Sequence, residues 1–140
     1  MNIDFIYNTD FKLDNENELS SWIQRFCDTE KFKIDSLVFA FFNDDELKEL
    51  NIKYLDHNYY TDVISFDRSL DGVISGDIAI SIDRVAENAN EFAATFEEEL
   101  RRVMVHGVLH FMGYKDETQE EQSAIRSMED LALAMFHVKQ

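Results

Sequence analysis

Apolar and polar residues alternate from Asn2 to Tyr7 (NIDFIY), the period-two pattern of a half-buried strand. After Asp14 the period changes, and Leu19, Trp22, Ile23 and Phe26 recur at helical spacing. Residues 36–42 (SLVFAFF) form a short continuous apolar run, which predicts a buried strand. Asn43 with Glu46 three positions later resembles a capping box and predicts a short helix to about Leu50. Residues 61–66 (TDVISF) predict a strand. Asp71-Gly72 marks a turn, and residues 73–82 (VISGDIAISI) predict a further strand, with Gly76 as its expected bulge. Asp83 is placed to cap a helix running to about Ala94. Thr95 with Glu98 is a second capping box, opening a helix that reaches His110. Thr118 with Glu121 opens a last helix, with Ile125, Met128, Leu131 and Met135 on one face. Strands and helices are mixed at first, and helices alone follow. That order predicts an α+β fold: a small mixed sheet of about four strands covered by about five helices. No linker, low-complexity stretch or internal repeat interrupts residues 1–140, so one domain is expected.

Composition narrows the picture. Hydrophobic residues make up 45% of the 140, with 12 Phe among them, which is enough apolar mass for a core. No apolar run is long enough for a transmembrane helix, and the start, Met1-Asn2-Ile3-Asp4, lacks the basic and apolar regions of a signal peptide. A single cysteine, Cys27, excludes an internal disulfide; it falls within the first helical pattern and is expected to be a small core residue. A cytoplasmic protein with no membrane partner is the expectation. The formal net charge of −16 opposes spontaneous binding to nucleic acid or anionic lipid. A nucleic-acid role would therefore rest on a local site or on a partner protein.

The chemistry concentrates in residues 106–116, HGVLHFMGYKD. His106 and His110 are four apart, so on a helix their Cβ atoms share one face at about 6 Å. Gly113 is placed to end that helix in the left-handed conformation and turn the chain back, bringing Asp116 towards the two imidazoles. Zinc accepts both donor types, and three protein ligands leave a fourth position for water. His106, His110 and Asp116 are thus the expected ligands of one zinc ion at the end of the penultimate helix. The frame H-x-x-x-H-x-x-G-x-x-[HD] is that of the metzincin peptidases, but the glutamate they carry after the first histidine is replaced here by Gly107. A glycine inside a helix costs about 1 kcal/mol relative to alanine, so a close neighbour at this turn is expected.

The same residues resemble the signature of the YbeY family of metal-dependent endoribonucleases: His106-Gly107-Val108-Leu109-His110, Gly113-Tyr114 and a ligand at 116. The resemblance extends upstream to Leu50-Asn51 and Tyr54, to Thr61-Asp62-Val63-Ile64-Ser65-Phe66, and to Gly76-Asp77-Ile78-Ala79-Ile80-Ser81. It implies an α+β fold, zinc held by three side chains, and single-stranded RNA as substrate. It also implies action late in small-subunit assembly, including the 3′ end of small-subunit ribosomal RNA. Two positions depart from the family pattern. Lys115-Asp116 stands where most members have aspartate followed by histidine, and a carboxylate ligand leaves the bound ion with less net positive charge and its water less acidic. Leu55 stands where the family often has an arginine.

The expected function is a zinc-dependent, single-strand-specific endoribonuclease in ribosomal RNA processing, partnered by the small ribosomal subunit or its proteins. A non-catalytic assembly factor with a metal-stabilised fold is the alternative, and a metallopeptidase a weaker one. No general base is assigned. Lys115 is a weak catalytic candidate, adjoining a ligand, against the plainer reading of a solvated loop lysine. Arg101 and Arg102 are expected to pair with Glu97, Glu98 or Asp130. Lys53 is a weaker version of Lys115, His57 is expected as a loop side chain and His137 as a surface residue, and Ser65, Asp77 and Ser81 as structural residues or outer partners of the ligands, not catalytic ones. An acidic outer partner orienting a ligand histidine is physically sensible, its identity left open by the sequence.

Overall fold

A computed structural model describes residues 2–138. Four strands and five helices follow in the order β1 (Ile3–Tyr7), α1 (Glu16–Thr29), β2 (Lys33–Phe42), α2 (Asp44–Leu55), β3 (Val63–Asp67), β4 (Val73–Ser81), α3 (Ile82–Glu91), α4 (Phe96–Phe111) and α5 (Gln119–Phe136). The sheet order is β1-β2-β4-β3; the first three strands are mutually parallel and β3 runs antiparallel to β4. The fold is the α+β class expected. No described helix is long and apolar enough to cross a membrane.

One face of the sheet carries the main core. Leu37, Phe39 and Phe41 of β2 and Ile74, Ile78 and Ile80 of β4 have no exposed surface and meet the apolar stripes of α1 and α4. Burying each such side chain contributes about 1.5–3 kcal/mol. The Trp22 indole Nε1–H donates to the Ala132 carbonyl at 2.7 Å, which ties α1 to α5. The opposite face is covered more thinly, by Leu47 of α2 against Ile64 and Ala79. Cys27 is fully buried, and its thiol is pushed up to about 12 by that burial.

Several boundaries differ from the sequence expectation for identifiable reasons. β2 begins three residues early, at Lys33, because Ile34 and Leu37 both face the core although simple alternation would separate them. The register with β4 slips between Ile34 and Ser36 to allow this. The irregularity therefore lies in β2 and not at Gly76, whose pairings with Leu37 and Asp67 are regular. Gly76 is required for another reason: a β-carbon there would strike the Phe66 carbonyl and stand 2.7 Å from the Phe111 ring. α2 continues one turn past Leu50, to Leu55. Ser81, not Asp83, is the N-cap of α3, accepting from the Arg84 amide. Asp83 instead accepts the first amide of α2, from Asp44, at 2.9 Å. On α5, Leu131 is 47% exposed; the inward residues are Ile125, Glu129 and Ala132.

Candidate metal centre

α4 positions the two histidines. Its start is set by the Thr95–Glu98 capping box, in which each side chain accepts the other residue's backbone amide. Its packing on the sheet is set by Gly107, where an added β-carbon would lie 2.8 Å from Ile78 Cδ1. The close neighbour expected from a mid-helix glycine is thus Ile78 of β4. Its end is a complete glycine stop: Gly113, at φ +105°, donates to the His110 carbonyl, and the Tyr114 amide donates to the Leu109 carbonyl. Five residues later the Thr118–Glu121 capping box opens α5. Asp116 lies between these two defined turns, and its carbonyl accepts from the Gln122 side chain at 3.0 Å.

The result is a cluster of three donor atoms. His106 Nε2 and His110 Nε2 are 3.0 Å apart. Asp116 Oδ2 is 3.3 Å from the first and 3.4 Å from the second. Donor atoms on one tetrahedral zinc at about 2.0–2.1 Å stand roughly 3.3 Å from one another. The three side chains are 23%, 29% and 43% exposed, so the cluster opens to solvent on the Asp116 side.

Both imidazoles are oriented through their other nitrogen. His106 Nδ1 lies 2.6 Å from Glu129 Oε2, and His110 Nδ1 lies 2.9 Å from the Tyr114 carbonyl oxygen. A carboxylate and a carbonyl only accept, so each neutral ring carries its hydrogen on Nδ1 and a bare lone pair on Nε2. Two lone pairs facing each other across 3.0 Å, with a carboxylate oxygen beside them, call for positive charge between them. A proton can supply it, and so can a divalent cation. This donor set and spacing fit a cation of the zinc type, with the outer partners that metal-bound histidines ordinarily have.

The surrounding carboxylates favour positive charge at the cluster, whether a proton or a metal ion. Burial works against protonation of His106, but the hydrogen bond and charge of Glu129, with Asp116 and Asp62 beyond, outweigh it and raise its pKa. Burial alone would raise the pKa of Glu129; hydrogen bonds from His106 and Arg102 hold it below the usual range instead. Asp62 and Glu99 are each raised, chiefly by burial, and Asp62 adds repulsion at Glu99. Arg102 is the balancing cation, donating to Glu129 at 2.7 Å and to Asp130 at 2.8 Å.

The other candidates separate clearly. Lys115 is exposed and does not line the cleft beside the cluster, and neither does Leu55, 41% exposed at the end of α2. Of the arginine pair, Arg102 makes the expected bond to Asp130, whereas Arg101 is buried with its guanidinium 4.0 Å from the centre of the Phe136 ring. Lys53 lies over the ring of Tyr54, His57 bonds Tyr59, and Asp77 pairs with Arg68. Glu129 is the acid that orients His106, an identity that motif spacing leaves open. Its signal in the sequence is a carboxylate on the inward face of α5, between Ile125 and Ala132, where only a paired charge belongs.

Fold and cluster together define a class: an α+β protein whose penultimate helix and following loop can hold a divalent cation through two imidazoles and a carboxylate. Residues 5–137 match the family described as Endoribonuclease YbeY, and the chain belongs to that family. A protein named Endoribonuclease YbeY from Flavobacterium psychrophilum is 47% identical over 138 residues, covering 99% of both chains. One of the same name from Christiangramia forsetii is 45% identical, covering 99% of this chain and 96% of its own. The solution structure of TM1509 from Thermotoga maritima is similar with a TM-score of 0.70 and 25% identity, over 96% of this chain and 88% of that one.

Proposed function

We propose that this chain is a zinc-dependent endoribonuclease that cleaves single-stranded RNA in ribosomal RNA processing, with the 3′ end of small-subunit ribosomal RNA among its targets. It would act in the cytoplasm as a single domain over residues 1–140. The observation that carries the reading is the pair of facing Nε2 atoms with Asp116 beside them, in a chain whose relatives are named Endoribonuclease YbeY. His106, His110 and Asp116 would hold one zinc ion, which supplies a Lewis acid for a phosphoryl oxygen and lowers the pKa of a water. The chain's own contribution is orientation. Glu129 and the Tyr114 carbonyl keep hydrogen on the two Nδ1 atoms and so keep both Nε2 atoms free as ligands.

Charge supports a macromolecular partner. With 13 Lys+Arg against 29 Asp+Glu, affinity for free RNA through phosphate contacts should be low. Delivery by the small ribosomal subunit or one of its basic proteins would supply the missing attraction.

The test is direct. Protein purified without added metal is analysed for its elements. A single-stranded RNA is then offered before chelation, after chelation and after zinc is restored. The expected result is about one zinc per chain and cleavage that disappears and returns with it. Cleavage indifferent to chelation would refute the reading. A non-catalytic assembly factor is the second reading, favoured by Leu55 standing in place of a family arginine. Bound zinc without turnover on any RNA would select it. Gly107, packed on Ile78 with no room for a base, argues against a peptidase.

A further inference from the structure

We infer that Arg126 is the residue of this site that contacts the substrate phosphate; the inference rests on the endoribonuclease reading above. Arg126 lines the open cleft beside the cluster, together with His106, Asp116, Gln122, Ile125 and Glu129. Ile125 is buried and anchors this turn of α5, whose start is fixed by the Thr118 cap. The backbone of Arg126 is therefore fixed beside the metal-ligand group by a rigid element.

Arg126 is not needed for the internal ion pairs. Glu129 Oε1 already accepts from Arg102 at 2.7 Å, and Glu129 Oε2 is 2.6 Å from His106 Nδ1. The Arg126 contact to the same Oε1 is 3.4 Å, beyond the usual range of about 2.7–3.2 Å for such bonds. Its side chain is 59% exposed, against 22% for Arg102. One arginine is thus committed to the interior, and the other faces the cleft on a weak tether.

A guanidinium at that place suits the chemistry. A phosphodiester has two non-bridging oxygens, and attack at phosphorus adds negative charge to them. The planar N–H fork of arginine can donate to that charge in the cleft beside the three donor atoms, giving up only the long contact to Glu129. Lysine, a compact point charge, would attract the phosphate but match its geometry less well.

The experiment compares wild type, Arg126→Ala, Arg126→Lys and Lys115→Ala as full-length, zinc-loaded protein. Two probes are used: a single-stranded RNA for cleavage, and the same sequence with 2′-O-methyl riboses for binding across a salt series. Arg126→Ala is expected to keep its zinc and its melting temperature and to lose about 100-fold in kcat. Its log affinity should depend on log salt with a slope shallower by about 0.7, the loss of one phosphate contact on a single strand. Arg126→Lys should restore the salt slope but not kcat, and Lys115→Ala should match wild type. Wild-type cleavage and slope in Arg126→Ala would overturn the inference and leave the endoribonuclease reading standing. Loss of zinc in that variant would assign Arg126 to holding Glu129 and overturn it equally. If wild type binds the methylated strand without cleaving RNA, the endoribonuclease reading fails and the salt slope alone decides the role of Arg126. Absence of both binding and cleavage by wild type, even at the lowest salt of the series, would overturn both.

Discussion

Gly107 of α4 lies against Ile78 of β4 so closely that a β-carbon on the glycine would stand 2.8 Å from Ile78 Cδ1. Ile78 has no exposed surface and is walled in by the core, so it cannot swing aside. Gly107→Ala gains about 1 kcal/mol of helix propensity, but overpacking costs about 1–3 kcal/mol. The net expectation is destabilisation, read as a lower melting temperature. The double variant Gly107→Ala with Ile78→Val should recover only part of the loss, because valine lacks Cδ1 but keeps the two γ-carbons, which would stand 3.0 and 3.1 Å from the new methyl. A melting temperature unchanged in Gly107→Ala would show that α4 can lift from the sheet at no cost.

Glu129 is the second residue on which the histidine pair depends. Glu129→Gln keeps an acceptor for His106 Nδ1 but removes the charge that Arg102 and His106 share. Loss of such an outer partner typically lowers metal affinity 10–100-fold. That drop should appear in competition against a chelator of known affinity, with far-ultraviolet circular dichroism unchanged. Equal zinc affinity in Glu129→Gln and wild type would mean that the charge of Glu129 contributes nothing to holding the ion.

The sequence made the architecture and the histidine frame legible because both depend on local periodicity and fixed spacing. Two capping boxes, at Thr95–Glu98 and Thr118–Glu121, place α4 and α5, and with them His106, His110 and the loop of Asp116. What stayed hidden depends on tertiary packing. Spacing alone does not bring Glu129 to His106 across 23 residues, and alternation alone does not reveal that β2 bends at Asp35 to keep Ile34 and Leu37 both inside. Gly76 reads as a bulge in sequence because glycine interrupts a strand. The Phe66 carbonyl of β3 and the Phe111 ring of α4, both packed against it, explain the missing side chain.

Glu99 lies on α4 near the cluster, 6% exposed, with its pKa raised by burial and by Asp62. A carboxyl raised in the folded state binds more protons there than in the unfolded chain. Stability therefore falls as pH rises from the ordinary carboxylate value through the raised one. Glu99→Gln removes the charge and keeps the shape. In the presence of a chelator its melting temperature should exceed wild type at pH 7.5, with a smaller gain at pH 5. A gain of equal size at both pH values would show that Glu99 does not titrate as argued.

Asp116 stands where the family more often has histidine, and it is the most exposed of the three donors. If it is a ligand, Asp116→Ala should lose zinc sharply, since two imidazoles alone leave the ion half coordinated. Asp116→Asn is the stricter control, with nearly the same shape but a neutral and weaker donor, and it should lose zinc as well. Asp116→His should retain it, because imidazole nitrogen binds zinc at nearly the same distance as a carboxylate oxygen. The loop between Gly113 and Thr118 is fixed at both ends, so the larger ring must reach the same point from the same backbone. Elemental analysis of the three variants distinguishes the possibilities. Wild-type zinc in both the Ala and the Asn proteins would remove Asp116 from the ligand set. A buried carboxylate of the same neighbourhood, Asp62 or Glu99, would then be the next to substitute.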